Sequence, residues 1–208
     1  DRFLTSPLKI CGEVELQIHQ FLMGKMRSLA QIERICSHPQ SFAQCRGWLS
    51  EYLPQAEQVS VSSNAEAARR ARDEAGTAAI AGATAAEVYG LKILAKQIED
   101  RADNSTRFLV IGRKVFAPSG DDRTTLLVST AHTDAPGALH RLLGPLARAG
   151  ISMTRIESRP SHRRKWDYVF FIDIVGHVAE PRVARALAQL KKHASLCRVL
   201  GSYPRAVV

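Results

Sequence analysis

The chain has 208 residues, 45% apolar and 24% charged, which suits a packed fold of one large or two small domains and excludes wholesale disorder. No apolar run approaches the length of a bilayer-spanning helix and no signal-peptide pattern opens the chain, so the expectation is a cytoplasmic protein without a membrane partner. The net charge of +9 is uneven: residues 122–208 hold 14 Lys/Arg against 6 Asp/Glu, a balance of +8.

The basic residues of that second part are dispersed and lack the interleaved aromatics that single-stranded nucleic acid requires, so no nucleic-acid partner is expected. Arg163-Arg164-Lys165 is the one tight run and is expected at an exposed turn. Cys11, Cys36, Cys45 and Cys197 form no C-x-x-C pair and no zinc spacing. They read as reduced thiols, with no metal expected.

In chain order, Leu8–Leu16 and Ile18–Met23 alternate apolar residues and are expected to pair as extended segments. Gln31–Cys36 is a strand candidate, and Ser37-His38-Pro39 punctuates before a helix over Gln40–Leu53. There Phe42, Cys45, Trp48, Leu49 and Leu53 share one face. Gln58–Val61 reads as a strand, and Asn64 is expected to cap a helix reaching about Glu74. Thr77–Ala81 is a short buried strand, Thr84–Leu94 a helix and Thr106–Arg113 a strand. Strands alternating with helices imply an α/β sheet with crossover connections.

Pro118, Ser119, Gly120, Asp121 and Asp122 mark a loop, placing a linker over residues 118–123 between domains 1–117 and 124–208. In the second domain Thr124–Ala131 is a strand, and Asp134-Ala135-Pro136-Gly137 opens a helix carrying Leu139, Leu142, Leu143 and Leu146 to Gly150. Ile151–Glu157 and Trp166–Val175 are strands, Glu180-Pro181 starts a second helix, and Leu196–Leu200 is the last strand. The order β-α-β-β-α-β is ferredoxin-like.

Several motifs together carry a family resemblance. In order, they are Ser37-His38-Pro39-Gln40 with Gln44-Cys45, Ser63-Asn64-Ala65-Glu66-Ala67, Ala78-Ala79-Ile80 and Thr106-Arg107-Phe108. The first part resembles the later portion of a prephenate dehydratase catalytic domain. The second resembles an ACT regulatory domain, on Gly137-Ala138-Leu139 and Glu157-Ser158-Arg159-Pro160. The resemblance covers essentially the whole chain. It implies an α/β fold in which a partial two-lobed, periplasmic-binding-protein-like catalytic domain precedes the ACT unit. The arrangement is that of the bifunctional chorismate mutase/prephenate dehydratases.

The implied reaction converts prephenate to phenylpyruvate with loss of water and carbon dioxide, a step in phenylalanine biosynthesis that needs no cofactor. Hydroxide is a poor leaving group, so a positioned donor must assist its departure. The resemblance gives that role to Thr106. Arg107 suits one of the substrate's carboxylates or, equally, a structural ion pair. His38, Ser63, Asn64 and Phe108 are candidate substrate contacts. For His38 and Asn64 a first-turn or capping role stands beside that reading, and for Phe108 core packing does.

The effector candidates are Gly137, Ala138, Leu139, Glu157, Ser158, Arg159 and Pro160, with L-phenylalanine as ligand. The helix start would take its carboxylate, Glu157 or nearby carbonyls its ammonium group, and Leu139 and Ile151 its ring. A homodimer or higher homo-oligomer is expected through sheet edges. The chain opens with Asp1, and the Gly-rich stretch and Glu-Asn-Ser motif upstream in the family do not occur in it. The expectation is a C-terminal portion, weak or inactive alone. The alternative is a non-catalytic, amino-acid-binding regulatory dimer.

Overall fold

In the computed structural model, residue 3 and residues 6–130, 135–160 and 168–206 are described. Asp134 and the basic run at 163–165 lie outside them. The chain forms two compact units, Leu16–Thr106 and Asp1–Glu15 with Arg107–Val208. The class is mixed α/β.

The first of these units is built on a five-stranded sheet of order β4-β3-β5-β2-β6. Its strands are β2 (Phe21–Gly24), β3 (Arg34–Ser37), β4 (Glu57–Ser60), β5 (Thr77–Ala81) and β6 (Lys92–Ala95). β3 runs parallel to β4 and β5, while β2 is antiparallel to β5 and β6. All five residues of β5 are buried, as a small-residue central strand covered on both faces must be. On one face lie α3 (Asn64–Asp73) and α4 (Ala83–Tyr89), where Ala67, Ala68 and Ala71 meet Ala79 and Ala81. On the other lie α1 (Pro39–Gln44) and α2 (Arg46–Tyr52), whose Leu49 packs on Ile35 and Ile80.

Three expectations change here. The helix over Gln40–Leu53 is two helices, because Asp100 accepts hydrogen bonds from the backbone N–H groups of Gly47 (2.9 Å) and Trp48 (3.0 Å) and starts α2 anew. The helix expected to run to Leu94 stops at Gly90, left-handed at φ 63°, and Lys92–Ala95 becomes β6. The cap of α3 is Ser63, whose Oγ accepts from the Glu66 N–H at 3.2 Å, and Asn64 is the first helical residue.

The other unit carries a four-stranded sheet of order β11-β8-β10-β9. Its elements are β8 (Asp122–Thr130), α5 (Ala138–Arg148), β9 (Met153–Pro160), β10 (Tyr168–Val175), α6 (Pro181–Lys191) and β11 (Ala194–Pro204). This is the expected βαββαβ order, with α5 and α6 packing Leu142, Leu146, Val183, Leu187 and Leu190 onto Leu126, Val128, Ile172 and Ile174.

The opposite face of that sheet is not bare. A two-stranded ribbon of β1 (Lys9–Gln17) and β7 (Ser105–Gly112) sets Ile10 and Leu109 against Leu127, Val169, Phe171, Leu200 and Tyr203. The expected pairing of Leu8–Leu16 with Ile18–Met23 therefore does not occur: the first joins β7, the second joins β5 and β6. This ribbon also explains why the compact units change at Leu16 and Thr106, although composition shifts at 118–123.

Gly201 permits the close fit of β11 on β1, since a Cβ there would stand 1.9 Å from the Ile10 carbonyl oxygen. Gly201→Ala is expected to cost about 3 kcal/mol in urea unfolding. Gly82→Ala, where a Cβ meets open space, serves as the tolerated control.

Candidate active site and effector region

The parallel strands β3, β4 and β5 all end on one side, and ligands of α/β sheets gather at such ends. There, Asn64 ties two chain segments together. Its Oδ1 lies 3.1 Å from Ser37 Oγ and accepts from the His38 N–H at 3.1 Å, while its Nδ2 donates to Ser41 Oγ at 3.0 Å. His38 Nδ1 accepts from the Gln40 N–H at 3.2 Å and caps α1. Ser63 caps α3, and Glu66 reaches back to the N–H (3.1 Å) and hydroxyl (2.5 Å) of Ser62. Those Ser62 bonds hold the Glu66 carboxyl below its ordinary range. The structure thus brings His38, Ser63 and Asn64 to one sheet end, with their side chains engaged in capping and bridging.

Along β7 exposure alternates: Thr106, Phe108 and Val110 are exposed, Arg107 and Leu109 are not. Thr106 and Phe108 share the outward face, and Phe108 is 50% exposed, so core packing is not its role among the described residues. Arg107 points the opposite way. Its Nη2 donates to Tyr203 Oη at 2.7 Å, its Nη1 pairs with Asp173, and its Nε lies 2.5 Å from Glu13 Oε2. Burial disfavours the charge on Arg107, but Asp173, Tyr203 and Glu13 outweigh it.

A polar network that no sequence spacing announced lies in the same unit as Thr106. His19 Nδ1 is 2.6 Å from Glu99 Oε1, and the Gln20 N–H donates to Glu99 Oε2 at 2.8 Å. Gln20 Nε2 donates to Gln44 Oε1 (2.9 Å), Gln44 Nε2 to Asn104 Oδ1 (3.2 Å), and Asn104 Nδ2 to the Ile18 carbonyl (3.0 Å). Gln44, Glu99 and Asn104 line a cavity of about 320 Å³ with Asp100, Arg101 and Asp103. Burial pushes the Glu99 carboxyl up, but the bonds from His19 and Gln20 prevail and hold it below the usual range.

The effector candidates divide between two faces of their sheet. Gly137, left-handed at φ 72°, caps α5, and Ala138 and Leu139 form the first turn on the helix side. Ser158 stands opposite Phe170, which packs on that same side. Glu157 and Arg159 stand opposite Phe171 and Val169, which belong to the ribbon side. Glu157 is bound by Arg159 Nε (2.7 Å) and Arg155 Nη2 (2.5 Å), which lower its pKa, Arg159 first. Its carboxylate is therefore neutralised by its own strand rather than left open to an ammonium group. A cavity of about 350 Å³ on the ribbon side is lined by Arg107, Arg155, Glu157, Arg159, Phe171 and Asp173, among others.

The fold and these motifs define an α/β protein with a ferredoxin-like module of regulatory type. The prephenate dehydratase family model matches residues 1–115, and the ACT domain model matches residues 124–192. The chain belongs to the prephenate dehydratase family and carries an ACT domain. The bifunctional chorismate mutase/prephenate dehydratase of Pseudomonas aeruginosa is 52% identical over 100% of this chain and 57% of its own length. This chain thus spans a little over half of that relative. The crystal structure of a prephenate dehydratase from Arthrobacter aurescens in complex with L-Phe superposes with TM-score 0.85, at 40% identity over 96% of this chain and 67% of that one. A solved structure described as a novel type of quorum-quenching acylase is also similar, with TM-score 0.82 and 36% identity over 96% of this chain and 73% of that one.

The Glu99 pairing makes a pH prediction. A carboxyl with a depressed folded pKa adds stability above its unfolded value of about 4.3 and loses it as pH falls below that value. Glu99→Gln is expected to flatten the fall in unfolding free energy between about pH 5 and 3, measured by urea titration at each pH.

Proposed function

We propose that this chain supplies the second lobe and the regulatory module of a prephenate dehydratase that is inhibited by L-phenylalanine. The observation that carries the reading is the exposed Thr106, on the face of β7 opposite the anchored Arg107, in a chain of this family. In the reaction the ring C–OH bond breaks as the hydroxyl takes up a proton from solvent water and leaves as water, so that one proton is consumed for each water and carbon dioxide released. The C–C bond to the ring carboxylate breaks, carbon dioxide departs, and its electron pair completes the aromatic ring of phenylpyruvate. The Thr106 hydroxyl donates to the departing oxygen. A threonine is too weak an acid to lose its proton outright, so its part is a positioned hydrogen bond.

His38, Ser63 and Asn64 shape the ends of β3 and β4, and Phe108 follows Thr106 two residues along β7 with its side chain exposed. On the regulatory side, Gly137 lets a ligand approach the start of α5, with Ala138, Leu139, Ser158 and Pro160 on the same side. Glu157 and Arg159 lie on the opposite face, where they pair with each other. β9 is one of the two edge strands of its sheet and suits pairing with a second copy, giving a homodimer in the cytoplasm.

In the full-length protein Thr106→Ala is expected to lower kcat by about 100-fold or more, with circular dichroism unchanged. Parent-like turnover would remove Thr106 from the mechanism. L-phenylalanine at about a hundredfold over its Kd is expected to raise Tm by several degrees, and no shift at millimolar concentration would count against the effector site.

A further inference from the structure

Arg107 belongs to a closed ring of hydrogen bonds. Its Nη2 donates to Tyr203 Oη at 2.7 Å. Tyr203 Oη lies 2.6 Å from Thr125 Oγ1, which donates to Asp173 Oδ1 at 2.6 Å. Since the Thr125 hydrogen goes to Asp173, the tyrosine hydrogen goes to Thr125. Asp173 Oδ2 accepts from Arg107 Nη1 and closes the ring. Tyr203, Asp173 and Thr125 are 0%, 2% and 5% exposed. Glu13, bound also by Arg123 at 2.6 Å, holds the third side of the guanidinium. Every link joins a different strand: β7 to β11, β8, β10 and β1.

Two features make this more than a staple. Arg107 is the residue after Thr106 on a strand, so any shift of Arg107 along β7 moves the Thr106 backbone with it. Asp173 stands opposite Arg155 in the β10–β9 register, and Arg155 holds Glu157 of the effector motif. Arg107, Asp173, Arg155, Glu157 and Arg159 line one cavity. A rearrangement of β9 therefore meets the ring at Asp173.

We propose that Arg107 is a positioning residue, which sets Thr106 through the Arg107–Tyr203–Thr125–Asp173 ring and makes its placement depend on strands β9 and β10. This rests on the dehydratase reading given above. In this role each nitrogen of the guanidinium faces a protein partner: Tyr203, Asp173 or Glu13. It acts through Thr106, and the ACT sheet acts through it.

The test uses the full-length protein with Asp173→Asn, Tyr203→Phe and Arg107→Lys, none of which removes the Thr106 hydroxyl. Asp173→Asn is expected to lower kcat roughly tenfold with KM within about threefold, because positioning is felt in the transition state rather than in substrate binding. The phenylalanine concentration for half inhibition is expected to shift at least about fivefold, while phenylalanine binding by calorimetry stays within about twofold. A merely structural ring would lower Tm yet leave kcat per folded molecule and the phenylalanine response as in the parent, and that result overturns the proposal. A raised KM at unchanged kcat in Arg107→Lys also overturns it, since the arginine would then be a substrate contact. Where Asp173→Asn does not fold, Tyr203→Phe keeps the ring volume and is expected to show the same split at about threefold in kcat; parent-like kinetics there overturn the proposal. A parent that forms no phenylpyruvate fails the dehydratase reading itself, a result visible before any variant is made.

Discussion

The half-buried guanidinium of Arg107 is the constraint on which its unit depends. Two cations, Arg107 and Arg123, face two anions, Glu13 and Asp173, with side chains of the anions only 2–3% exposed. Removing one member would leave a buried charge without its partner, which costs far more than the intact cluster contributes. The cluster therefore specifies geometry more than it adds stability. It fixes which strands lie over the four-stranded sheet and with what register, where the apolar contacts of Ile10 and Leu109 alone would tolerate slippage.

The other unit is organised by amides and carboxylates that reach segments distant in sequence. Asn64 joins the start of α3 to the end of β3 and the first turn of α1, and Asp100 begins α2. Glu99 gathers His19 and Gln20. Each is a single side chain satisfying backbone or polar groups from a segment far away in sequence, which buried polar groups require. The alanine face of α3 brings that helix close to β5, so the strand ends it follows are held rigidly.

How much of this was legible depended on the range of the interaction. The βαββαβ module was readable because its helices carry leucines at helical spacing and its central strands carry short apolar runs, all local signals. The break at Cys45 was not readable, because the group that causes it, Asp100, lies more than fifty residues downstream. The cap of α3 was misplaced by one residue because Ser63 and Asn64 are both good capping residues, and only the bridge from Asn64 to Ser37, His38 and Ser41 decides between them. The strand expected over Thr106–Arg113 matches β7 within a residue at each end. Strand alternation alone already implies that Thr106 and Arg107 face opposite ways, but the partners Glu13, Asp173 and Tyr203 are set by tertiary structure. Glu157 and Arg159 divide from Ser158 and Pro160 by the same alternation.

One feature bears on how the protein is made. Most of β1 and most of β7 belong to one unit, yet about ninety residues of the other lie between them, and the ends of that stretch pair where the Ile18 N–H donates to the Asn104 carbonyl at 2.8 Å. During synthesis the first strand emerges with no mate and waits, at roughly 5–20 residues per second, for several seconds until its neighbour follows. The intervening segment can collapse on its own sheet in that interval. Pairing of Ile18 with Asn104 at the ends of that segment brings the end of β1 beside the start of β7, which shortens the loop the ribbon has to close.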